Sequence, residues 1–329
     1  MKYVIGIDGG NTKTDYFLFD IEGNFIDRIN DGTCSHEAIG FEKAEEIIKN
    51  NVTTLLNRNN LTFNDIEAGA FGLAGIDNHI QQIQMSDLLR RVGFTRFEAD
   101  NDGYLGLFAG TSKGYGICSI NGTGTVAAGV DPQGRRLQVG GIGPLVGDDA
   151  GGSYIARMAI RAVYDSFYRC GEPTIMAKPV FEIFEIDRPL QLMLAIGDFG
   201  YGKQNMTKLT RLVFQSANQG DKPALDILKE SAKQLAKTAA GCARNLAFDK
   251  DIDIVLAGSV WVKAESPALF NYFKEYMKEF LPNKDLNYNT LKEPPATGAV
   301  LWALSLCGVD CFSPAIKQKV VTAVRENIS

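Results

Sequence analysis

The 329-residue sequence is poor in histidine, and its cysteines form no metal-binding pair. It contains only His36 and His79, and none of its six cysteines belongs to a C-x-x-C motif. A histidine-rich zinc site is therefore excluded, and a Ser-His-Asp triad would have to use one of these two histidines. No apolar run approaches the ~18 residues that a membrane-spanning helix needs. Any chemistry must therefore rest mainly on carboxylates, backbone amides and a bound metal ion.

Basic residues are too few and too scattered for a nucleic-acid-binding surface. The chain has 34 Lys and Arg against 39 Asp and Glu, a net charge of −5, and its basic residues do not cluster. The opening segment MKYVIGIDGG meets Asp8 too early for a signal peptide, and it predicts a first strand. We therefore expect a cytoplasmic protein with reduced thiols that associates with neither membrane nor nucleic acid.

An internal repeat organises the chain. The segment IGIDGGNTKTDYFLFDIEGN, from Ile5, is matched by CSINGTGTVAAGVDPQGR, from Cys118. Each contains a strand, a Gly/Asn/Thr turn, a second strand and a D-x-x-G turn, which is typical of a β-hairpin. At one constant spacing the matched pairs are Thr12 with Thr123, Thr14 with Thr125, Asp20 with Asp131 and Gly23 with Gly134. We therefore predict a duplicated unit.

Apolar strands alternate with helical patterns along the rest of the chain. Strands are predicted at residues 67–75 and 252–260, and helices at 41–60, 78–93, 153–170, 296–306 and 314–327. This alternation indicates α/β layers, and the length suits two domains of roughly 150 residues. We place the first boundary near Leu107. The predicted division is 1–107, 108–312 with a helical insertion, and a helix at 313–329 that packs back on the first domain.

The two glycine- and threonine-rich turns are typical of anion-binding sites, because their backbone N–H groups converge where no side chain blocks approach. Asp8, at the end of the first strand, would hold Mg²⁺ through water, since Mg²⁺ prefers one or two carboxylates together with phosphate oxygens. Gly258 and Ser259 follow a buried strand, where a nucleoside could pack. The sequence contains neither a P-loop nor a G-x-G-x-x-G motif. The residues assigned to phosphate are Gly10, Asn11, Thr12, Lys13, Gly122, Thr123, Gly124 and Thr125.

Five short motifs, IGIDGGNTKTDYFLFD, NGTGT, GDDAGGSYIA, AGSV and PATGAVLWAL, stand in this order in the chain. Together they resemble the sugar kinase/Hsp70/actin superfamily and, more narrowly, the N-acetylglucosamine kinases of the BadF/BadG/BcrA/BcrD ATPase family. The resemblance implies an α/β fold of two ribonuclease-H-like (actin-like ATPase) domains with the active site in the cleft between them. It also implies ATP- and Mg²⁺-dependent phosphorylation of the 6-hydroxyl of an aminosugar. N-acetylglucosamine is the first candidate, and N-acetylmuramate and glucosamine stay open.

The resemblance assigns the catalytic base to Asp102, in the segment EADND. Strand alternation and the following Gly103 favour Asp102 over the neighbouring Asp100. A carboxylate that accepts the hydroxyl proton is the part that phosphoryl transfer to an alcohol requires. Aspartate is also a common helix N-cap, and the two roles are compatible.

The resemblance also assigns further residues to the sugar. Asp148 would accept a sugar hydroxyl, with Asp149 as the helix cap beside it. Ser35 and His36 lie in a loop similar to the family's sugar-binding loop, although a helix-start position for Ser35 and a surface position for His36 are the structural alternatives. Glu37 replaces an aromatic residue that the family often has near the acetamido group. Because a glutamate cannot stack on an acetyl methyl group, which aminosugar the acyl pocket accepts stays open. The remaining expected sugar contacts are Gly75, Thr123, Gly124 and Gly152, with Asp77 expected to cap the next helix.

A second function stays open at this stage. The family name also covers ATPase activators of 2-hydroxyacyl-CoA dehydratase or benzoyl-CoA reductase systems, which hold an iron–sulfur cluster between two subunits. Such a cluster needs cysteines in a short loop at the dimer interface, and the sequence has no matching pair. Because relatives commonly form homodimers, we expect a homodimer that binds an aminosugar and ATP.

Overall fold

The computed structural model of the chain describes residues 2–199 and 203–328, and its strands form two five-stranded sheets. The first sheet contains β1 (Tyr3–Gly9), β2 (Lys13–Asp20), β3 (Phe25–Gly32), β4 (Ile66–Leu73) and β5 (Phe97–Asp100). The second contains β6 (Gly116–Asn121), β7 (Thr125–Val130), β8 (Arg136–Gly140), β9 (Asp251–Ala257) and β10 (Asp285–Thr290).

Helices follow or connect the strands of both sheets. The helices of the first half are α1 (His36–Ile39), α2 (Phe41–Arg58), α3 (His79–Val92) and α4 (Gly103–Gly110). Those that follow β8 are α5 (Gly152–Tyr168), α6 (Ala177–Ile183), α7 (Leu192–Phe199), α8 (Lys203–Asn218), α9 (Lys222–Asn245), α10 (Ser259–Val262), α11 (Ala268–Phe280), α12 (Pro295–Leu306) and α13 (Pro314–Ile328).

The two sheets have one topology. The strand order is β3-β2-β1-β4-β5 in the first sheet, and the second repeats it as β8-β7-β6-β9-β10. In each sheet three antiparallel strands are followed by two parallel ones. The α/β class with a duplicated sheet is thus confirmed.

The repeated D-x-x-G turns have the same geometry as well as the same letters. Asp20 Oδ1 accepts the backbone N–H groups of the residues two and four positions later, both at 2.9 Å. Asp131 Oδ1 accepts the equivalent pair at 3.0 and 2.9 Å. Gly23 and Gly134 then adopt φ angles of 77° and 79°, which strongly favour glycine. The local chemistry of the turn therefore explains why these positions repeat.

A layer of two helices lies between the sheets. Helix α12 packs on β1 and β4, α4 packs on β6, β7 and β9, and the two helices pack on each other. The approach is close, because a Cβ atom on Gly6 would lie 2.6 Å from Val300 N, and one on Gly298 would lie 1.9 Å from Leu105 O. Residues of both sheets and of α4, α12 and α13 form one buried apolar cluster.

The outer faces of the sheets are covered by separate groups of helices. Helices α2 and α3 bury the outer face of the first sheet. Helix α9 packs on β6, β7 and β8 of the second sheet, and α5, α8 and α11 pack against α9 and complete the buried cluster. The sequence pattern missed β10, whose segment DLNYNT is mostly exposed and has no apolar run, and it also missed α11.

The predicted boundary at Leu107 falls inside α4, a continuous helix that packs against the second sheet and α12. Helix α13 contacts β3 and α12, and Lys319 Nζ donates to the carbonyl of Glu22 at 3.0 Å. Where one unit ends and the next begins remains a prediction. Within the described residues, no helix combines the length and apolar character that crossing a bilayer requires.

The close contact at Gly298 gives a stability prediction. We expect Gly298→Ala to lower the free energy of unfolding by about 1–3 kcal/mol, because the new methyl group would overlap the backbone of α4. Gly241→Ala, inside α9, is the matched control. Its Cβ would lie 3.5 Å from Val139 Cγ1, which is an ordinary van der Waals contact. Helix propensity should make that variant neutral or more stable by up to ~1 kcal/mol. Urea denaturation measures both, and equal stabilities for the two variants would contradict the packing.

Candidate active site

Acidic residues of the first sheet meet where its parallel strands end. In the register of this sheet, Asp8 of β1 lies beside Gly72 of β4, which lies beside Asp100 of β5. The carboxyl ends of these strands therefore point to one edge, the usual location of ligand sites in open α/β sheets. Asp102 follows β5 at this edge and lies close enough to Asp8 for their charges to interact.

Burial and crowding perturb both carboxylates. The pKa of Asp8 is raised to about 7, mainly by burial and also by the nearby carboxylates of Asp102 and Asp15, while the charge of Lys13 acts against the rise. Burial, with the charge of Asp77, raises the pKa of Asp102 to about 6. Shifted carboxylates at a strand edge are typical of sites that move protons or bind cations.

The structure separates Asp102 from its rival Asp100. The Asp100 carboxylate accepts from Gln82 Nε2 at 3.2 Å and lies 3.7 Å from Arg136 Nη1, so it faces away along β5. Asp102 stands at the N-cap position of α4, but its side chain makes no capping hydrogen bond. The N–H groups of Asp102 and Gly103 lower the pKa of this carboxylate against the effect of burial, so Asp102 occupies the cap position without a capping hydrogen bond.

Asn101 was missed by the sequence analysis. This side chain is 8% exposed, accepts from Gly103 N at 2.9 Å and donates to Asp77 Oδ1 at 2.9 Å. It thereby joins the loop after β4 to the loop that carries Asp102. Asp77 is consequently not the cap of α3, which uses Asn78 instead, one residue closer to the helix.

The loop predicted to bind sugar is tied to the first hairpin. Thr33 Oγ1 donates to the carbonyl of Gly10 at 2.8 Å, and the N–H of Cys34 donates to Thr14 Oγ1 at 3.0 Å. These bonds fix the two residues that follow at the same end of the sheet as Asp8.

Ser35 and His36 are buried without polar partners. Ser35 is fully buried and His36 is 7% exposed, and neither the hydroxyl of Ser35 nor the ring nitrogens of His36 have a hydrogen-bond partner. Burial lowers the pKa of His36, whose ring stacks on Phe41 at 4.2 Å. The surface alternative for His36 is therefore wrong. Unpartnered buried polar groups are costly unless a ligand satisfies them.

Gly75 brings the loop after β4 against the same residues. Its φ is 94°, and a Cβ there would lie 2.7 Å from Glu37 Cγ and 3.2 Å from His36 Cε1. The predicted residues Ser35, His36 and Gly75 therefore lie together, and the interacting charges of His36, Asp77 and Asp102 connect them to the base.

The second hairpin also leaves polar atoms without partners. Asn121 is fully buried and Thr125 is 6% exposed, and none of their side-chain polar atoms is hydrogen-bonded. Between them the exposed Gly124 and the half-buried Gly122 have open space where a side chain would be. Exposed Thr123 lies at the tip. Such a cradle of small residues suits an anion.

Two further glycine segments pack against this hairpin. The N–H groups of Gly152 and Ser153, at the start of α5, donate to the carbonyls of Gly122 and Thr123 at 2.8 and 3.1 Å. Gly258, with φ 94°, approaches so closely that a Cβ would lie 2.5 Å from Asn121 O. Gly258, exposed Ser259 and Gly152 therefore border the same turn, and their contacts with nucleoside and sugar stay predictions.

The first hairpin is less complete as a phosphate site. Gly10 N donates to the carbonyl of Lys13 at 2.9 Å, and Asn11 and Thr12 are exposed. Lys13 Nζ pairs with the buried Asp15 at 3.0 Å, and its charge also acts on Asp8, whose pKa it lowers.

Asp148 and Asp149 have structural partners. Asp148 Oδ2 accepts the N–H groups of Ile142 and Gly143 at 2.7 and 2.6 Å, and so organises the loop between β8 and α5. Its contact with a sugar stays a prediction. Asp149 pairs with Arg157 at 3.2 Å and is not the cap of α5, because Gly151 occupies the N-cap position.

The segment after Asp102 also reaches the second sheet. A Cβ on Gly103 would lie 3.0 Å from Ile120 Cδ1, one residue before Asn121. The segment that carries Asp102 is thus connected to the second hairpin through the start of α4. Among the described residues, no three His, Cys, Asp or Glu side chains form a ready-made metal site.

Two sheets of one topology, joined by a helical layer, have the architecture of the actin-like ATPase fold. Residues 5–303 match the sequence profile of the BadF/BadG/BcrA/BcrD ATPase family. The chain belongs to this family.

Individual relatives cover almost the whole chain. It is 28% identical over 314 residues to the N-acetylmuramic acid/N-acetylglucosamine kinase of Clostridium acetobutylicum, covering 93% of this chain and 100% of the relative. It is 24% identical to the N-acetyl-D-glucosamine kinase of Dictyostelium discoideum, over 92% of this chain and 97% of that one. The fold resembles a crystal structure from Chromobacterium violaceum, described provisionally as an N-acetylglucosamine kinase. That match has a TM-score of 0.60 and 22% identity, over 92% of this chain and 99% of the other.

The raised pKa of Asp102 gives a pH-dependent stability prediction. Between pH 4 and 6 the folded protein keeps a proton on Asp102 that the unfolded chain loses, so the contribution of Asp102 to stability should fall as pH rises through this range. We expect Asp102→Asn to remove this decline. The variant should be about 1–3 kcal/mol more stable than the parent at pH 7 and equally stable at pH 4. Urea denaturation at both pH values measures this, and an unchanged difference between them would contradict the assignment.

Proposed function

We propose that this protein transfers the γ-phosphoryl group of ATP to the 6-hydroxyl of an aminosugar. N-acetylglucosamine is the first candidate acceptor, and N-acetylmuramate and glucosamine are the alternatives. The observation that carries the proposal is the position of Asp102, whose side chain makes no capping hydrogen bond to the helix that it precedes and whose charge interacts with that of Asp8. The named activities of the two curated relatives support it.

In the proposed reaction the 6-hydroxyl oxygen attacks the γ-phosphorus while Asp102 accepts the hydroxyl proton. The new oxygen–phosphorus bond forms as the bond to the β,γ-bridging oxygen breaks, and ADP leaves with that electron pair. Burial keeps the Asp102 pKa near 6, so the group is ionised at neutral pH yet is a stronger base than an exposed aspartate.

The residues present fit a magnesium ion shared with phosphate. Asp8 is a partly buried carboxylate with a raised pKa, so a bound cation would stabilise its ionised form. In the described residues, no group of three or more His, Cys, Asp or Glu side chains forms a metal site with it. Mg²⁺ commonly binds in this way, with one or two carboxylates and several phosphate or water oxygens. When bound there, the ion would neutralise charge on the phosphate oxygens.

We propose the remaining assignments on the same contacts. The second hairpin, through Gly122, Thr123, Gly124 and Thr125, cradles the phosphates, with Gly10, Asn11, Thr12 and Lys13 of the first hairpin opposite and Gly258 and Ser259 beside the nucleoside. Ser35, His36, Gly75, Asp148 and Gly152 contact the sugar, and Thr123 and Gly124 lie where sugar and phosphate meet. The orphaned atoms of Ser35, His36, Asn121 and Thr125 are the groups that such ligands would satisfy.

The division into residues 1–107, 108–312 and 313–329, the interdomain cleft, a cytoplasmic location and a homodimer are further parts of this proposal. The contact of α13 with β3 supports the return of the last segment to the first sheet. The exposure of the cysteines speaks for the kinase over the iron–sulfur activator, because four of the six are buried, Cys307 is partly buried and Cys170 is exposed. A cluster shared between subunits needs thiolates that reach the surface.

The test is a coupled assay of ADP release with N-acetylglucosamine, N-acetylmuramate, glucosamine, N-acetylmannosamine and glucose. We expect Asp102→Asn to lower sugar-dependent kcat by about 10²–10⁴-fold, with nucleotide affinity changed less than about threefold. Asp87→Asn, which loses only an exposed ion pair with Arg90 on α3, is the control and should stay at parental activity. Undiminished turnover in Asp102→Asn would refute its role as the base.

Thr123 gives a separate test of the phosphate assignment. We expect Thr123→Val to raise the KM for ATP about tenfold, because a hydrogen bond to a charged group contributes about 1.5–3 kcal/mol. Thr54→Val, exposed on α2, is the matched control. A change confined to the KM for the sugar would count against phosphate binding by this hairpin.

A further inference from the structure

Arg136 connects an edge strand of the second sheet to an edge strand of the first. Strands β5 and β8 are edge strands of the first and second sheets, and Arg136 of β8 reaches β5. Its Nη2 donates to Glu98 Oε2, and its Nη1 lies 3.7 Å from Asp100 Oδ2. The guanidinium is the common partner of two carboxylates on the strand that leads to Asp102.

The arginine is itself held in place by a third element. The Arg136 guanidinium lies 4.7 Å from the ring centroid of Trp302, on α12, and the Trp302 Nε1–H donates to Glu98 Oε2 at 2.8 Å. The side chains of Arg136 and Glu98 are 20% and 38% exposed. A planar guanidinium can contact two carboxylates and stack on an indole at once, whereas a lysine ammonium cannot.

A short series of hydrogen bonds leads from this cluster to the base. Asp100 Oδ1 accepts the N–H of Asn101 at 2.9 Å, and Asn101 Oδ1 accepts the N–H of Gly103 at 2.9 Å. In the sequence, Asp102 lies between Asn101 and Gly103, which this second hydrogen bond joins. The backbone that carries its carboxylate is therefore fixed from both sides, and Arg136 holds the end of β5 from which this segment begins.

We propose that Arg136 is a positioning residue for Asp102, fixing the end of β5 against the second sheet so that the base meets the acceptor hydroxyl. The inference rests on the proposed function, in which Asp102 is the base. Arg136 does not border the ligand site. It lines a cavity of about 260 Å³ with Gln82, Ser86 and Arg90 of α3, and its guanidinium lies 5.8 Å from the ring centroid of Tyr104 on α4, so its effect passes through β5 and the start of α4.

The experiment compares Arg136→Gln with the neighbouring Arg135→Gln. Arg135 is on the chain beside Arg136, its side chain is 60% exposed, and it pairs with Asp131 away from β5. With the sugar that the parent protein phosphorylates, we expect Arg136→Gln to lower kcat about 10–100-fold, because displacement of a catalytic group by about 1 Å can cost 10²-fold. The KM values for sugar and ATP should change less than about threefold, and Arg135→Gln should keep kcat within twofold.

Two further measurements separate positioning from loss of folded protein. Titration of nucleotide-binding sites gives the active fraction, and kcat is expressed per binding site. Arg136→Lys keeps the charge but not the planar contact with Glu98, Asp100 and Trp302, and we expect a kcat loss of about 3–30-fold with KM values retained. If Arg136→Gln fails to fold, this variant decides the question by the same criterion.

The outcomes are distinct. Parental kcat per site in Arg136→Gln, or in Arg136→Lys where the first variant does not fold, overturns the inference. An equal loss in Arg135→Gln, or a loss of KM without a loss of kcat, also overturns it. If the parent protein phosphorylates none of the sugars, the proposed function fails first. An active parent with an unaffected Arg136→Gln leaves the function standing and removes only the role of Arg136.

Discussion

Crowding of carboxylates at one edge of the first sheet is the constraint on which the site depends. The parallel alignment of β1, β4 and β5 places Asp8, Asp77 and Asp102 at neighbouring strand ends, and burial there raises the pKa values of Asp8 and Asp102. This arrangement is unfavourable for folding and useful for chemistry, because the same repulsion favours a proton or a cation. The apolar layers on both faces of the sheet supply the stability that offsets it.

The two sheets share one topology, but the two hairpins differ in charge. The first combines Asp8 with Lys13 and the buried Asp15, whereas the second has the neutral Asn121 and Thr125 with unpartnered polar atoms. The charged groups of the first hairpin suit a metal ion and a proton. The neutral amides and hydroxyls of the second hairpin suit an anion, to which they donate hydrogen bonds. This difference in charge is the reason for assigning the metal ion and the base to the first sheet and the phosphates to the second hairpin.

Local signals explain what the sequence predicted well. The repeat was predictable because the D-x-x-G turns depend on a side chain bonding to its own turn, as at Asp20 and Asp131. The choice of Asp102 over Asp100 as the base stays a prediction, and the structure adds that Asp100 already has Gln82 and Arg136 as partners.

The interactions that the sequence did not reveal join residues that are far apart in the chain. The bond of Asn101 to Asp77 and the contact of Arg136 with Glu98 join segments far apart in sequence. The cap of α3 shifted from Asp77 to Asn78 because the geometry of the helix start, rather than residue type, selects the cap. Strand β10 escaped because an exposed edge strand needs no apolar pattern.

The position of α12 and α13 has a consequence for biosynthesis. The inner face of the first sheet is covered by α12, and β3 is contacted by α13, yet both helices are translated only after the whole second sheet. During synthesis the nascent first sheet therefore keeps an apolar face bare while the ribosome completes the remainder. Chaperones that shield such surfaces on emerging chains would be expected to engage this protein early and release it late.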